Sequence, residues 1–210
     1  MPTTITGRRS AVRAAAAAAA VVLAMTGGCA SQESDTVTRT GTRELNSEST
    51  TDGYIGGNSL TLVPPEDRKP APVASGLSLD GKTTVSTGGY PGKVVVINVW
   101  GSWCAPCRAE APDLNAASEE TADVAAFVGI NIRDNQRAAA QAFVRSFEVP
   151  YPSIYDPNGE QLLLFAGILP ANGIPTTLVI DTEGRIAARV VGEVSKTTLV
   201  GLIKDTEQGR

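Results

Sequence analysis

The chain has 210 residues, a formal net charge of −4, an isoelectric point of about 5.0 and no histidine. The acidic balance argues against nucleic-acid recognition, which rests on basic patches. The lack of histidine leaves few side chains able to carry protons near neutral pH. Only three cysteines are present, too few for a four-thiolate zinc site.

Arg8, Arg9 and Arg13 form a basic start with no acidic residue, and an apolar run covers 14–25. As a helix that run is about 18 Å long, short of a hydrocarbon core of about 30 Å. It therefore reads as a secretory signal rather than a membrane span. The segment Thr26-Gly27-Gly28-Cys29-Ala30-Ser31 resembles a bacterial lipobox, with Thr26 where leucine is usual. The resemblance implies cleavage before Cys29 and acylation (palmitate) of its thiol. The alternative is cleavage nearby, with Cys29 a free thiol or removed. Arg8-Arg9 also shares features with twin-arginine signals, so Sec and Tat export both stay open. Loss of 1–28 leaves 15 basic and 22 acidic residues, a charge of −7.

From 30 to 69 the chain is rich in Ser, Thr, Glu, Asp and Gly, and such a stretch cannot bury enough surface to offset chain entropy. It is expected to be a flexible tether, with 60–63 as a stray strand before Pro64-Pro65. The expected organisation is a signal peptide over 1–28, a lipid-anchored linker over 29–69 and one domain over 70–210. About 140 residues are ample for one core.

The domain opens with an expected β-hairpin over 73–85, turning at Leu79-Asp80-Gly81-Lys82. A β-branched apolar run over 94–100, interrupted by Asn98, predicts a buried central strand. It leads through Gly101-Ser102-Trp103 into Cys104-Ala105-Pro106-Cys107 at the start of a helix predicted over 105–118. Cys104 then sits where free backbone N–H groups and the helix dipole stabilise a thiolate. The thiolate is the nucleophile, so Cys104 is the attacking sulfur. Cys107 lies about one turn on, within reach to resolve a mixed disulfide. Pro106 is tolerated in a first turn. A structural disulfide or half a metal site is the bland alternative. A Cys-x-x-Cys beside a βα unit more often does redox chemistry. Glu110 shares a helix face with Cys107; it is a solvated carboxylate or, if buried, an acid of raised pKa able to exchange a proton with that sulfur. Trp100 is expected in the core. Trp103 is expected to shield the sulfurs and offer a flat surface to a partner. Arg108 is expected to be solvated.

Further along, the patterns predict a kink at Pro112, a strand over 124–131 and a helix over 136–147 with Ala140, Phe143, Val144 and Phe147 on one face. A short strand over 151–155 and a helical turn over 161–165 follow. Strands over 176–181 and 185–191 form a hairpin, and Ser195 starts the last helix. Strands with flanking helices make an α/β layered fold.

The run Trp103-Cys104-Ala105-Pro106-Cys107-Arg108-Ala109-Glu110-Ala111-Pro112 resembles the W-C-x-P-C-x-x-E-x-P signature of TlpA/ResA-like thiol–disulfide oxidoreductases. The likeness extends over about 70–206. It implies a thioredoxin-like fold with an N-terminal β-hairpin and a central strand–helix insertion. Gly173-Ile174-Pro175-Thr176 matches the family's cis-proline loop opposite the dithiol. On sequence alone a trans Pro175 is the ordinary reading; the resemblance implies cis, with Ile174 and Thr176 flanking the place where a substrate backbone pairs. It further implies that Glu110 is the active-site acid. Asn98 replaces the buried Asp of cytoplasmic thioredoxins; it either shifts proton handling to Glu110 or merely satisfies backbone groups.

The resemblance implies an extracytoplasmic enzyme, anchored through Cys29 or else secreted, with no cofactor or metal. Its substrates would be secreted protein disulfides or the haem-binding cysteines of apocytochrome c. Its electrons would come from a membrane donor of the CcdA/DsbD kind. Two other functions stay open. One is a peroxiredoxin-like peroxidase, although the P-x-x-x-T-x-x-C pattern is absent around Cys104. The other is a non-catalytic binding module that keeps the fold.

Overall fold

The computed structural model describes residues 59–170 and 172–210. They belong to one unit running from Asp52 to Arg210. The expected signal segment, Cys29 and most of the expected tether lie outside the described residues.

Among the described residues there are eight strands: β1 (Ser59–Leu62), β2 (Ser75–Leu77), β3 (Thr84–Ser86), β4 (Val94–Trp100), β5 (Ala125–Ile132), β6 (Ser153–Asp156), β7 (Thr176–Ile180) and β8 (Ile186–Val191). Four α-helices accompany them: α1 (Ala105–Glu120), α2 (Arg137–Ser146), α3 (Glu160–Leu163) and α4 (Lys196–Glu207). Six strands form one sheet in the order β1-β8-β7-β4-β5-β6, while β2 and β3 pair separately. β4 runs parallel to β5, and β5 to β6; β7 runs antiparallel to both β4 and β8. The expected N-terminal hairpin and central insertion are both present, the latter as β6 and α3.

Every residue of β4 is buried, as its apolar run predicts. Side chains alternate across a strand. Val95, Ile97 and Val99 therefore join one core cluster with Ile154 and Phe165. Val94 and Val96 join the other, with Leu114 of α1 and Leu199 and Ile203 of α4. Asn98 shares the parity of Val94 and Val96, so the alternation delivers its amide to the α1 side.

β1 departs from the tether expectation. It pairs with β8 over Ser59↔Val191 to Leu62↔Ala188, and all four of its residues are exposed. Backbone pairing rather than side-chain burial holds it, which hydrophobic patterning cannot reveal. A 3₁₀ turn over Pro65–Asp67 follows. Arg68 is then buried, with its guanidinium on Asp181 at 3.4 Å and on the Arg210 carbonyl. The folded unit therefore starts ahead of residue 70.

α1 runs two residues beyond its expected end and continues past Pro112. Thr121 closes it, its hydroxyl donating to the Ala117 carbonyl at 2.7 Å. Among the described residues, no helix is long and apolar enough to cross a membrane.

Candidate active site

The sheet's central strand ends at Trp100, and the chain turns through Gly101, Ser102 and Trp103 to enter α1. Cys104 is the N-cap of α1, in extended conformation, and its sulfur accepts from the Cys107 N–H at 3.2 Å. This is the helix-terminal placement that favours a thiolate. Cys104 and Cys107 form a disulfide with Cα atoms 5.3 Å apart. Both are nearly buried, in a cluster with Leu79, Trp100, Ala111, Ala140 and Phe143. Trp100 is in the core as expected, its ring centroid 4.4 Å from that of Phe143. Trp103 is 50% exposed, so the apolar surface beside the sulfurs is offered to solvent.

The Ile174–Pro175 peptide bond is cis. Ile174 is half-buried and packs against both the dithiol cluster and the core beneath the hairpin, which sets this loop beside the cysteines. Thr176 is buried, its hydroxyl donating to the Gly173 carbonyl at 2.6 Å. That bond ties Thr176 to the turn that carries Pro175.

Glu110 is 2% exposed rather than solvated. Its Oε1 accepts from Asn98 Nδ2 at 2.9 Å and its Oε2 from the Val194 N–H at 3.2 Å. Asn98 Nδ2 also donates to Thr177 Oγ1 at 3.1 Å. Asn98 thus serves side chains, not backbone groups. Burial pushes the Glu110 carboxyl up to about 7, against the opposing pull of the Asn98 and Val194 bonds. A cavity of about 10 Å³ lies behind Cys107, walled by Asn98, Trp100 and Tyr151 among others. That is about the space of one water molecule. Burial pushes the Tyr151 phenol up, and the nearby Glu110 carboxylate adds to it, so Tyr151 keeps its proton.

Sequence reading did not find Asp134. It is buried in the turn after β5, and both its carboxylate oxygens hold Ser102: the backbone N–H at 2.9 Å and the hydroxyl at 2.5 Å. Asn131 Nδ2 donates to the same carboxylate at 2.7 Å. Arg108 is exposed as expected, yet its Nε donates to the Ser102 carbonyl at 3.0 Å. The available signal was the polar pair Asn131 and Asp134 at the C-terminal end of a strand parallel to β4, where α/β sheets place ligands.

A disulfide capping a helix, a buried acid one turn below it and a cis-proline loop alongside define a thioredoxin-type dithiol centre. The Redoxin family model matches residues 66–204. A solved DsbF homologue from Corynebacterium diphtheriae is 39% identical, covers 71% of this chain and 94% of its own, and superposes with a TM-score of 0.66. The thiol–disulfide oxidoreductase ResA of Bacillus thuringiensis subsp. konkukian is 29% identical over 136 residues, 65% of this chain and 76% of that one. The thiol:disulfide interchange protein HelX of Rhodobacter capsulatus is 32% identical over 108 residues, and the match spans 51% of this chain and 57% of HelX. The chain belongs to the Redoxin family, as a TlpA/ResA-like thiol–disulfide oxidoreductase of the thioredoxin-like superfamily.

Proposed function

We propose that this protein reduces protein disulfides on the extracytoplasmic face of the bacterial membrane, tethered through a lipidated Cys29. The observation that carries the reading is the dithiol at the start of α1 with buried Glu110 one turn beneath Cys107. In the reduced protein the Cys104 thiolate attacks one sulfur of a substrate disulfide. A mixed disulfide forms, and the other substrate sulfur leaves as a thiolate that takes a proton. Cys107 gives its proton to the Glu110 carboxylate and attacks Cys104 Sγ. The second substrate sulfur leaves, and Cys104–Cys107 closes. Two electrons pass from the protein dithiol to the substrate.

The water-sized cavity behind Cys107 is walled by Asn98, which donates to Glu110, and this supports a short proton path on the α1 side. Trp103 and Ile174 form the apolar flanks of the substrate site, and the backbone around Pro175 pairs with an extended substrate segment. Substrates are secreted protein disulfides, apocytochrome c among them, which places the protein in cytochrome c maturation. A CcdA/DsbD-like membrane protein returns the dithiol to its reduced state, since an oxidising compartment does not.

Trapping tests this reading. The full chain with Cys107→Ala, expressed in a bacterium that exports it, accumulates mixed disulfides through Cys104 that dissolve on adding thiol. Cys104→Ala gives none. Absence of adducts with Cys107→Ala would overturn the assignment of Cys104 as attacking sulfur.

A further inference from the structure

The turn that follows β5 touches both sides of the dithiol. Asp134 holds Ser102, two residues ahead of Cys104, by its backbone N–H and its hydroxyl. The adjacent residue, Arg133, donates from its guanidinium to Asn172 Oδ1 at 2.9 Å, in the loop leading to Ile174-Pro175. Consecutive side chains thus reach opposite lips of the site. Arg133 manages this with φ of 56°, a left-handed conformation that is uncommon for a residue other than glycine. Such backbone persists only where its surroundings over-determine it, and it gathers at ligand clamps and active sites.

The turn is itself fixed from beneath. Tyr155 donates its hydroxyl to the Asp134 carbonyl at 2.7 Å, and the Arg137 guanidinium lies 4.4 Å over the Tyr155 ring. Asn131 donates to the Asp134 carboxylate while its own Oδ1 is buried without a partner among the described residues. An unpaired buried acceptor costs free energy, so the Asp134 bond is what this buried amide supplies. A Cβ at Gly101 would meet Trp103 Nε1 at 2.8 Å and the Ile132 carbonyl at 3.2 Å, so the indole folds back over Gly101 beside the residue preceding Arg133.

The geometry points to the Arg133–Asp134 turn as a brace that sets the spacing between the Trp103 lip and the cis-proline loop, and so selects extended protein disulfides as substrates over small ones. This rests on the reductase reading above and adds its specificity determinant. Arg133 and Asp134 are positioning residues that act through Asn172 and Ser102. A protein disulfide must enter between the two lips with its backbone aligned, whereas a small disulfide needs only an open path to Cys104.

The test compares two oxidants on the reduced full chain: insulin, a protein disulfide, and dithiobis(nitrobenzoic acid), a small aromatic one. Arg133→Gly removes the guanidinium while suiting the left-handed backbone, so folding is retained. Asn172→Ala breaks the same bond from its exposed end, and Asp134→Asn weakens the hold on Ser102. Misplacement of a binding lip by a fraction of an ångström lowers the ratio of insulin to small-disulfide rate constants about tenfold in each variant. Arg133→Gly with Asn172→Ala lowers it by less than the product of the two separate effects, because both remove the Arg133–Asn172 bond. Equal slowing with both oxidants, or an unchanged ratio, would overturn the brace and leave the reductase reading standing. A wild-type chain inert to both oxidants would overturn the reductase reading and the brace with it.

Discussion

Glu110 shows how burial raises an ordinary carboxylate toward neutral pH. Its folded value of about 7 lies above the usual 4.5, so the folded state holds this proton more tightly than the unfolded chain does. The resulting stability is fully present below about pH 4.5 and is lost as pH rises through about 7, a change of about 3 kcal/mol. Denaturant unfolding at pH 4.5 and pH 8 measures it, and Glu110→Gln flattens this part of the profile. An unchanged slope in that variant would place the titration elsewhere. The same substitution removes the rise in Cys107 reactivity through about pH 7 expected if ionised Glu110 takes its proton. At this scale the sequence was informative about Cys104, Cys107 and Glu110 because they lie within two turns of one helix. Val194, which donates to Glu110, lies 84 residues away, and no local spacing announces that bond. Asp134 was missed for the same reason: its partner Ser102 is 32 residues distant.

β4, β5 and β6 lie side by side, and the site depends on how closely they pack. Gly129 of β5 leaves room for the Trp100 indole, whose Nε1 donates to Ser153 Oγ at 3.2 Å. A Cβ there would stand 2.2 Å from Ser153 Oγ and 2.7 Å from Trp100 Nε1. Gly129→Ala therefore lowers stability by about 1–3 kcal/mol, read as a lower denaturant midpoint, and displaces Trp100 beneath the dithiol. A midpoint equal to wild type would show that Ser153 gives way without cost. Strongly patterned elements were legible: β4 and the start of α1 fall where the apolar run and the Cys-x-x-Cys place them. β1 was legible only as a stray strand, since its four exposed residues carry no buried face and its stability comes from the edge of β8. The loop after β5 gives no such signal because turns carry no periodicity.

Across the whole molecule, the sheet separates a core packed by α1 and α4 from one packed beneath the hairpin, and the dithiol stands at the end of its central strand. Arg68 ties three distant segments together, bonding the Val63 carbonyl, Asp181 and the Arg210 carbonyl. Arg68→Ala removes one of the two cations that face the buried Asp181 carboxylate and costs about 3 kcal/mol, measured by thermal or denaturant unfolding; a loss within error would mean that Arg185, which also pairs with Asp181 at 2.9 Å, suffices. The layered α/β architecture could be read from the alternation of strand and helix patterns. The loops that bring Ser102, Arg133 and Asn172 together could not, because that meeting is a property of the assembled sheet rather than of any segment. The central claim is that this dithiol delivers electrons to other disulfides. A redox titration of the full chain, followed by tryptophan fluorescence and thiol alkylation, tests it most directly. The account predicts a midpoint near or below about −250 mV, in the range of thioredoxin. A midpoint near about −120 mV, that of a strong oxidant, would contradict it.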